Sequence, residues 1–229
     1  METAELRKKL EIPPRNGRQQ AVLLSTGSLC PVHKGHLQIL DIAARFLSEK
    51  CNVDPLVGYL SPSCDKYVNN KQGSDSISFK DRIEMVKLAC NEHNQIPGVI
   101  HIYPDSWEGL QSKFINFPEV RNHFEEELKK LFPDKEFLVL YVTGADHFIR
   151  CGLSSSRGYV AISRVGYNIE TKTDPRRNLY ICNDPEYSEM YSDISSTAIR
   201  NANKKGQNIE SLTYGSVVKY LREVLHFNV

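Results

Sequence analysis

Apolar positions along this chain fall alternately into short runs and helical stripes. Ala21–Ser25 reads as a strand, and Pro55–Leu60 as a second. Leu37, Leu40, Ala44 and Leu47 recur at the helical period, with Ile39, Ala43 and Phe46 beside them, which predicts a helix ending near Lys50. Phe79–Asn91 repeats the pattern through Ile83, Val86 and Cys90. Ser78 caps it, with Asp81 three residues on in the manner of a capping box. Val99–Tyr103 is a short strand. Pro118–Phe132 carries the clearest stripe, Val120, Phe124, Leu128 and Leu131, and turns Glu125–Glu127 to water. Phe137–Val142 is apolar without alternation, as expected of a parallel strand covered on both faces. Gly158–Ser163 and Leu179–Cys182 add two strands, a helix opens near Ser195, and Val217–His226 forms the last one.

Between these elements the pattern lapses. Thr3–Glu11 suits a short helix that Ile12-Pro13-Pro14 breaks, so residues 1–20 read as an extension to a single domain over 21–229. Ser61–Ile77 reads as a long polar loop, a length that in compact domains usually serves function. Asn168–Asn178 is a second polar loop. Strands alternating with helices give the fold class: α/β, a Rossmann-like doubly wound parallel sheet with helices on both faces. In such folds ligands gather at the carboxyl ends of strands.

Composition narrows the function. A net charge of +1 over 229 residues argues against a nucleic-acid polymer as partner and favours a small anion held by a local field. No run nears the ~20 apolar residues of a membrane helix. Residues 1–20 lack the apolar core of a secretory signal, and the six cysteines form no Cys-x-x-Cys pair. The expected setting is intracellular, in cytoplasm or nucleus, with reduced thiols. Self-association is left open.

One stretch organises the rest, Ser25-Thr26-Gly27-Ser28-Leu29-Cys30-Pro31-Val32-His33-Lys34-Gly35-His36. It lies between the first strand and the first amphipathic helix. A helix beginning near Lys34 places both imidazoles on one face of its first turn, beside free N–H groups and a positive partial charge. Gly27 and Gly35 allow close approach of a ligand to the backbone. The arrangement suits phosphate; a helix cap with two surface histidines remains the plainer reading. A zinc site would need a third ligand at suitable spacing, and none is near in sequence. A second such junction is Ile194-Ser195-Ser196-Thr197-Ala198-Ile199-Arg200, where hydroxyls, helix N–H groups and a guanidinium describe a polyphosphate clamp. Its plainer reading is a serine N-cap with a surface arginine.

Together these two motifs resemble the signature of the His-x-Gly-His nucleotidyltransferases. Ser61-Pro62 with Asp65, Tyr67 and Lys71, Asp105-Ser106-Trp107-Glu108-Gly109-Leu110-Gln111, Gly144-Ala145-Asp146 and Arg164-Val165-Gly166 extend the likeness to the eukaryotic-type nicotinamide mononucleotide adenylyltransferases, in order from Ala21 to the C-terminus. The resemblance implies transfer of AMP from ATP to nicotinamide or nicotinic acid mononucleotide, giving NAD or its acid analogue and pyrophosphate, with Mg²⁺ carried on the ATP phosphates and no protein metal cage. It implies His36, His33 and Arg200 as the catalytic set. It gives Gly27, Ser28, Gly144, Asp146, Arg164, Ser195 and Ser196 as further ATP contacts. Ser28, Lys66, Lys71 and Trp107 would hold the acceptor. Trp107, the only tryptophan, is otherwise a core residue, and Asp146 otherwise a turn residue. The family carries a Pro and a second Trp after Gly-Ala-Asp; here His147–Arg157 has neither, and Phe148 is the candidate replacement. The alternatives are nucleotidyl transfer to another phosphorylated acceptor, or nucleotide binding with little catalysis.

Overall fold

The computed structural model describes residues 4–164, 166–191 and 194–228. Val165, in the Arg164-Val165-Gly166 motif, Asp193, ahead of the second phosphate motif, and Met1–Thr3 of the expected extension lie outside the described residues. The elements run α1 (Ala4–Glu11), β1 (Gln19–Gly27), α2 (Lys34–Lys50), β2 (Val53–Pro62), α3 (Asp65–Gln72), α4 (Phe79–His93), β3 (Ile102–Pro104), α5 (Phe117–Leu131), β4 (Leu138–Gly144), α6 (Ala145–Arg150), β5 (Tyr159–Ile162), β6 (Leu179–Cys182), α7 (Pro185–Ser188), α8 (Ser196–Lys204) and α9 (Gly215–Glu223).

Six strands form one sheet in the order β3-β2-β1-β4-β5-β6, a Rossmann-like arrangement whose order reverses after β1. Pairing is parallel between β1 and β4, where Ala21–Leu24 face Leu138–Tyr141, and at β4–β5 and β5–β6. The chain divides into two compact units. One holds the described residues up to Ser25, Gln38–Tyr59 and Phe117–Tyr191; the other holds Thr26–Leu37, Leu60–Asn116 and Ile194 onward.

In the first unit, Val139–Val142 of β4 are buried in succession, which is why the run shows no alternation. The α5 stripe of Val120, Phe124 and Leu128 is buried against the sheet, Phe124 meeting Tyr59 at 4.9 Å between ring centroids. Leu6 and Leu10 of α1 are also buried, each contributing about 1.5–3 kcal/mol. Strand β1 begins two residues before the apolar run, at Gln19, inside the stretch expected as an extension.

In the second unit α4 packs on β3 and α9. No side chain of its own caps α9. Glu92 of α4 does so instead, accepting from the N–H groups of Gly215 at 3.1 Å and Ser216 at 2.9 Å. The loop expected over 61–77 is corrected by α3, followed by a turn of 3-10 helix at Gly73–Asp75. Only Val68 of α3 is buried, so the helix carries no apolar stripe to read. Among the described residues, no helix is long and apolar enough to cross a membrane.

Candidate active site

The second unit contains both sequence motifs. Strand β1 ends at Gly27, and α2 starts at Lys34, where the histidine spacing predicts it. Four carbonyls of the intervening loop are held by side chains from distant parts of the chain. Ser28 O accepts from Arg82 Nη1 at 2.9 Å, and Cys30 O from Arg200 Nη1 at 2.7 Å. Pro31 O accepts from Ser196 Oγ at 2.8 Å, and Val32 O from Thr213 Oγ1 at 2.9 Å. In a trans peptide the N–H lies opposite the preceding C=O. Turning the Ser28 and Pro31 carbonyls toward Arg82 and Ser196 therefore turns the Leu29 and Val32 N–H groups away from those side chains. Leu29 between them takes φ 44°, a left-handed conformation that costs about 1 kcal/mol or more in a non-glycine residue and persists because its neighbours are pinned. Gly27 does not have a positive φ, and a Cβ there would meet only Leu29 Cδ2, at 3.7 Å. Neither its own backbone nor a protein neighbour requires glycine at this position.

The two histidines stack, ring centroids 3.5 Å apart and planes at 27°. His33 N–H donates to His36 Nδ1 at 3.1 Å. That bond assigns the neutral His36 tautomer: Nδ1 is the acceptor, so Nε2 carries the proton and is the donor available to a ligand. Burial holds His33 down to about 4, and burial together with His33 holds His36 well below its ordinary value. Both rings are neutral donors in the free protein at pH 7. His33 Nδ1 is buried with no hydrogen-bond partner among the described residues.

Ser195 caps α8, its Oγ accepting from Ala198 N at 3.1 Å, as the plainer reading requires. Arg200, however, is buried rather than on the surface. Besides Cys30 O it donates to Thr197 Oγ1 at 3.1 Å, and its Nε has no partner among the described residues. Of five N–H donors two are placed on protein groups, leaving the guanidinium both anchored and able to take an anion. Ser196 serves differently from expectation. Its hydroxyl hydrogen is committed to Pro31 O, so it fastens the histidine loop to α8.

Lys66 and Lys71 are exposed on α3, with Lys71 Nζ 5.7 Å from the Tyr67 ring centroid. The residue that sequence reasoning missed here is Arg82. It is 0 % exposed and donates from Nε to Ile77 O at 2.9 Å, from Nη1 to Ser28 O, and from Nη2 to Asp65 Oδ1 at 3.0 Å. The signal available was its place on the buried face of α4 with Met85, Val86 and Ala89.

Trp107 is half-buried beyond β3, and its backbone is clamped at both ends. Its N–H donates to Asp105 Oδ2 at 3.2 Å, and its carbonyl accepts from Gln111 Nε2 at 2.8 Å. Gly109 follows because the Phe79 ring lies where a side chain would be; a Cβ would sit 1.8 Å from Phe79 Cε2.

The remaining candidates belong to the first unit. Gly144 ends β4 and is the N-cap of α6, with Asp146 exposed in the first turn. Arg164 lies over the Tyr167 ring at 4.5 Å. Phe148 is 1 % exposed, in the core of this unit, where it lines a cavity with Leu153 and Ile169. Among the described residues, no group of three or more His, Cys, Asp or Glu side chains could hold a metal ion.

The model of the cytidylyltransferase-like family matches residues 24–202, from the end of β1 through α8. This chain belongs to the cytidylyltransferase-like family. It is 28% identical over 235 residues to the nicotinamide/nicotinic acid mononucleotide adenylyltransferase of Oryza sativa, covering 94% of this chain and 90% of that one. It is 24% identical over 245 residues to nicotinamide/nicotinic acid mononucleotide adenylyltransferase 2 of Saccharomyces cerevisiae. This cytidylyltransferase-like chain spans 54–60% of the length of that protein and of two other yeast relatives. The fold matches the Plasmodium falciparum nicotinic acid mononucleotide adenylyltransferase complexed with NaAD, with TM-score 0.60, 17% identity, and 92% and 98% of the two chains covered.

Proposed function

We propose that this chain transfers the adenylyl group of ATP to the phosphate of a pyridine mononucleotide, releasing pyrophosphate and forming NAD or its nicotinic acid analogue. One observation carries the reading: Arg200 and Ser196 of α8 bond the backbone of the loop leading into the His33–His36 pair, so two phosphate-type helix N-termini converge in one unit. Gly27, which no protein neighbour requires to be glycine, is consistent with a ligand lying against that loop. The adenylyltransferases from rice and yeast are the chain's relatives, in keeping with this reading.

The chemistry asks little covalent help from the protein. An oxygen of the acceptor phosphate attacks the α-phosphorus of ATP, and the bond from that phosphorus to the β-bridging oxygen breaks. The attacking phosphate has a second pKa of about 6 and is already ionised at neutral pH, so no general base is needed. The protein must hold two anions together and stabilise charge on the α-phosphoryl and leaving oxygens. His36 Nε2–H and the His33 imidazole donate to the ATP phosphates. Arg200 and the α8 N-terminus hold the β and γ groups, with Ser195 beside them. Loop N–H groups, Ser28 and Lys71 or Lys66 receive the acceptor phosphate, and Trp107 offers an aromatic face to the cationic pyridinium. Mg²⁺ carried with ATP would neutralise charge on the phosphates.

The test is incubation with ATP, Mg²⁺ and each mononucleotide in turn. Dinucleotide formation with either is the expected result; ATP binding without turnover would reject the reading. A second reading, transfer to a different phosphorylated acceptor, is favoured by Phe148, the candidate replacement for the missing second Trp, being 1 % exposed in the core of the first unit. Pyrophosphate release only with such an acceptor would support it.

A further inference from the structure

The histidine loop and the strap over residues 210–213 meet at a single peptide group, held from both sides. Thr213 is 0 % exposed, and its hydroxyl donates to Val32 O at 2.9 Å. The N–H of the same peptide belongs to His33 and donates to His36 Nδ1 at 3.1 Å. This peptide is trans, so its C=O and N–H point in opposite directions within one plane. Drawing the oxygen to Thr213 therefore aims the hydrogen at the imidazole.

The strap is itself fixed by other bonds. Lys34, the first residue of α2, donates its backbone N–H to Leu212 O at 3.1 Å, and its Nζ to Glu210 O at 3.1 Å and Ser211 O at 3.3 Å. The N–H groups of Leu212 and Thr213 both return to Ile209 O, at 2.9 and 3.3 Å. The Thr213 hydroxyl thus comes from a turn tied to the start of the histidine helix. The His33 ring, stacked on His36 at 3.5 Å between centroids, restrains the imidazole from its face.

A backbone N–H aimed at Nδ1 leaves no room for a proton there, so the neutral ring carries its proton on Nε2. Hydrogen bonds in series also polarise one another: an O–H on the peptide oxygen makes the N–H a better donor, and a bond accepted at Nδ1 does the same for Nε2–H. We propose that Thr213 is a positioning residue: acting through the Val32–His33 peptide, its hydroxyl sets the His36 tautomer and strengthens the Nε2–H donor. Its effect on the tautomer stands on the free protein alone. Its effect on transfer rests on the proposed function. A Thr213 that merely packed the strap would lower the unfolding midpoint when replaced and leave the tautomer alone.

The test is long-range proton–nitrogen NMR correlation of the histidine side chains in the free protein at neutral pH, with His36→Gln and His33→Gln identifying the signals. Wild-type His36 should show one tautomer, protonated at Nε2 and bare at Nδ1. Thr213→Val keeps the side-chain volume and removes the hydroxyl; it should give a mixture of His36 tautomers, and Thr213→Ser should restore the single one. Should Thr213→Val fail to fold, Thr213→Cys, with a weak S–H donor in place of the hydroxyl, reads the same change in smaller degree. A wild-type His36 protonated at Nδ1, or an unchanged tautomer in the folded variant, overturns the proposal. Transfer is read separately. Thr213→Val should lower kcat by about fivefold, the factor carried by one ordinary hydrogen bond, with the acceptor KM unchanged and with Thr213→Ser near the wild-type rate. A wild-type kcat in Thr213→Val also overturns it. If neither mononucleotide is adenylylated, the proposed function fails while the NMR result still decides the role of Thr213.

Discussion

Arg82→Met removes the most deeply buried cation of the second unit while keeping an unbranched apolar stem. Three acceptors lose their donor: Ile77 O, Ser28 O and Asp65 Oδ1. Hydrogen bonds from a charged donor contribute about 1.5–3 kcal/mol each, and a buried carbonyl left unpaired costs a similar amount. Asp65 recovers most of its loss, because its side chain is 47% exposed and it still accepts from Phe79 N at 2.6 Å. The two carbonyls dominate, which gives roughly 3–5 kcal/mol of destabilisation. For a chain of this length that lowers the Tm by about 6–20 °C. The measurement is urea or thermal unfolding followed by circular dichroism, with Arg82→Lys as the intermediate case, since one ammonium cannot reach all three acceptors. Replacing a buried ion by an apolar group is sometimes neutral, because the cost of desolvating the charge disappears with it. A loss below about 1 kcal/mol would mean that this cancellation holds here and that Arg82 does not anchor the loop.

Three further expectations follow from the site. His36→Ala should cut turnover by about a hundredfold or more through loss of one donor to the reacting phosphate, with little change in unfolding midpoint; an unchanged rate rejects the role of Nε2. Trp107→Ala should raise the acceptor KM more than the ATP KM, and equal effects would return Trp107 to a packing role. The third concerns pH and stability. His33 is held down to about 4 when folded, against about 6.5 when unfolded, so folding excludes a proton. Its contribution is complete above pH 6.5 and is lost as pH falls toward 4, by up to about 3 kcal/mol. Denaturation at both ends of that window should show the loss in the wild type and a smaller one in His33→Gln; parallel curves would contradict it.

The elements with strong periodicity were legible in the sequence. The α2 and α5 stripes, the unbroken β4 run and the His-x-Gly-His junction all stand within two residues of their expected places. What escaped was carried by residues whose types mislead. Helix α3 buries only Val68, so its polar sequence reads as loop. Arg82 sits on an apolar helical face, but arginine is so commonly exposed that the position alone does not announce a buried guanidinium. Ser196 was legible as a hydroxyl at a helix mouth, yet its partner, Pro31 O, lies 165 residues earlier, a pairing that no local spacing encodes. Asp105 was visible only as a motif letter, because its serine partner, Ser61, comes from the end of a different strand.

The carbonyls of the histidine loop, held by remote side chains, carry a lesson about inheritance and grafting. The loop's conformation is written at positions 82, 196, 200 and 213 rather than in its own dozen letters. A synthetic peptide spanning Ser25–Leu37, or that segment transplanted onto a foreign strand and helix, would keep both imidazoles but lose the donors that orient its amides. Such a chimera should bind triphosphate no better than a scrambled loop, and variation in this protein should be tolerated or refused in remote, matched sets rather than one letter at a time.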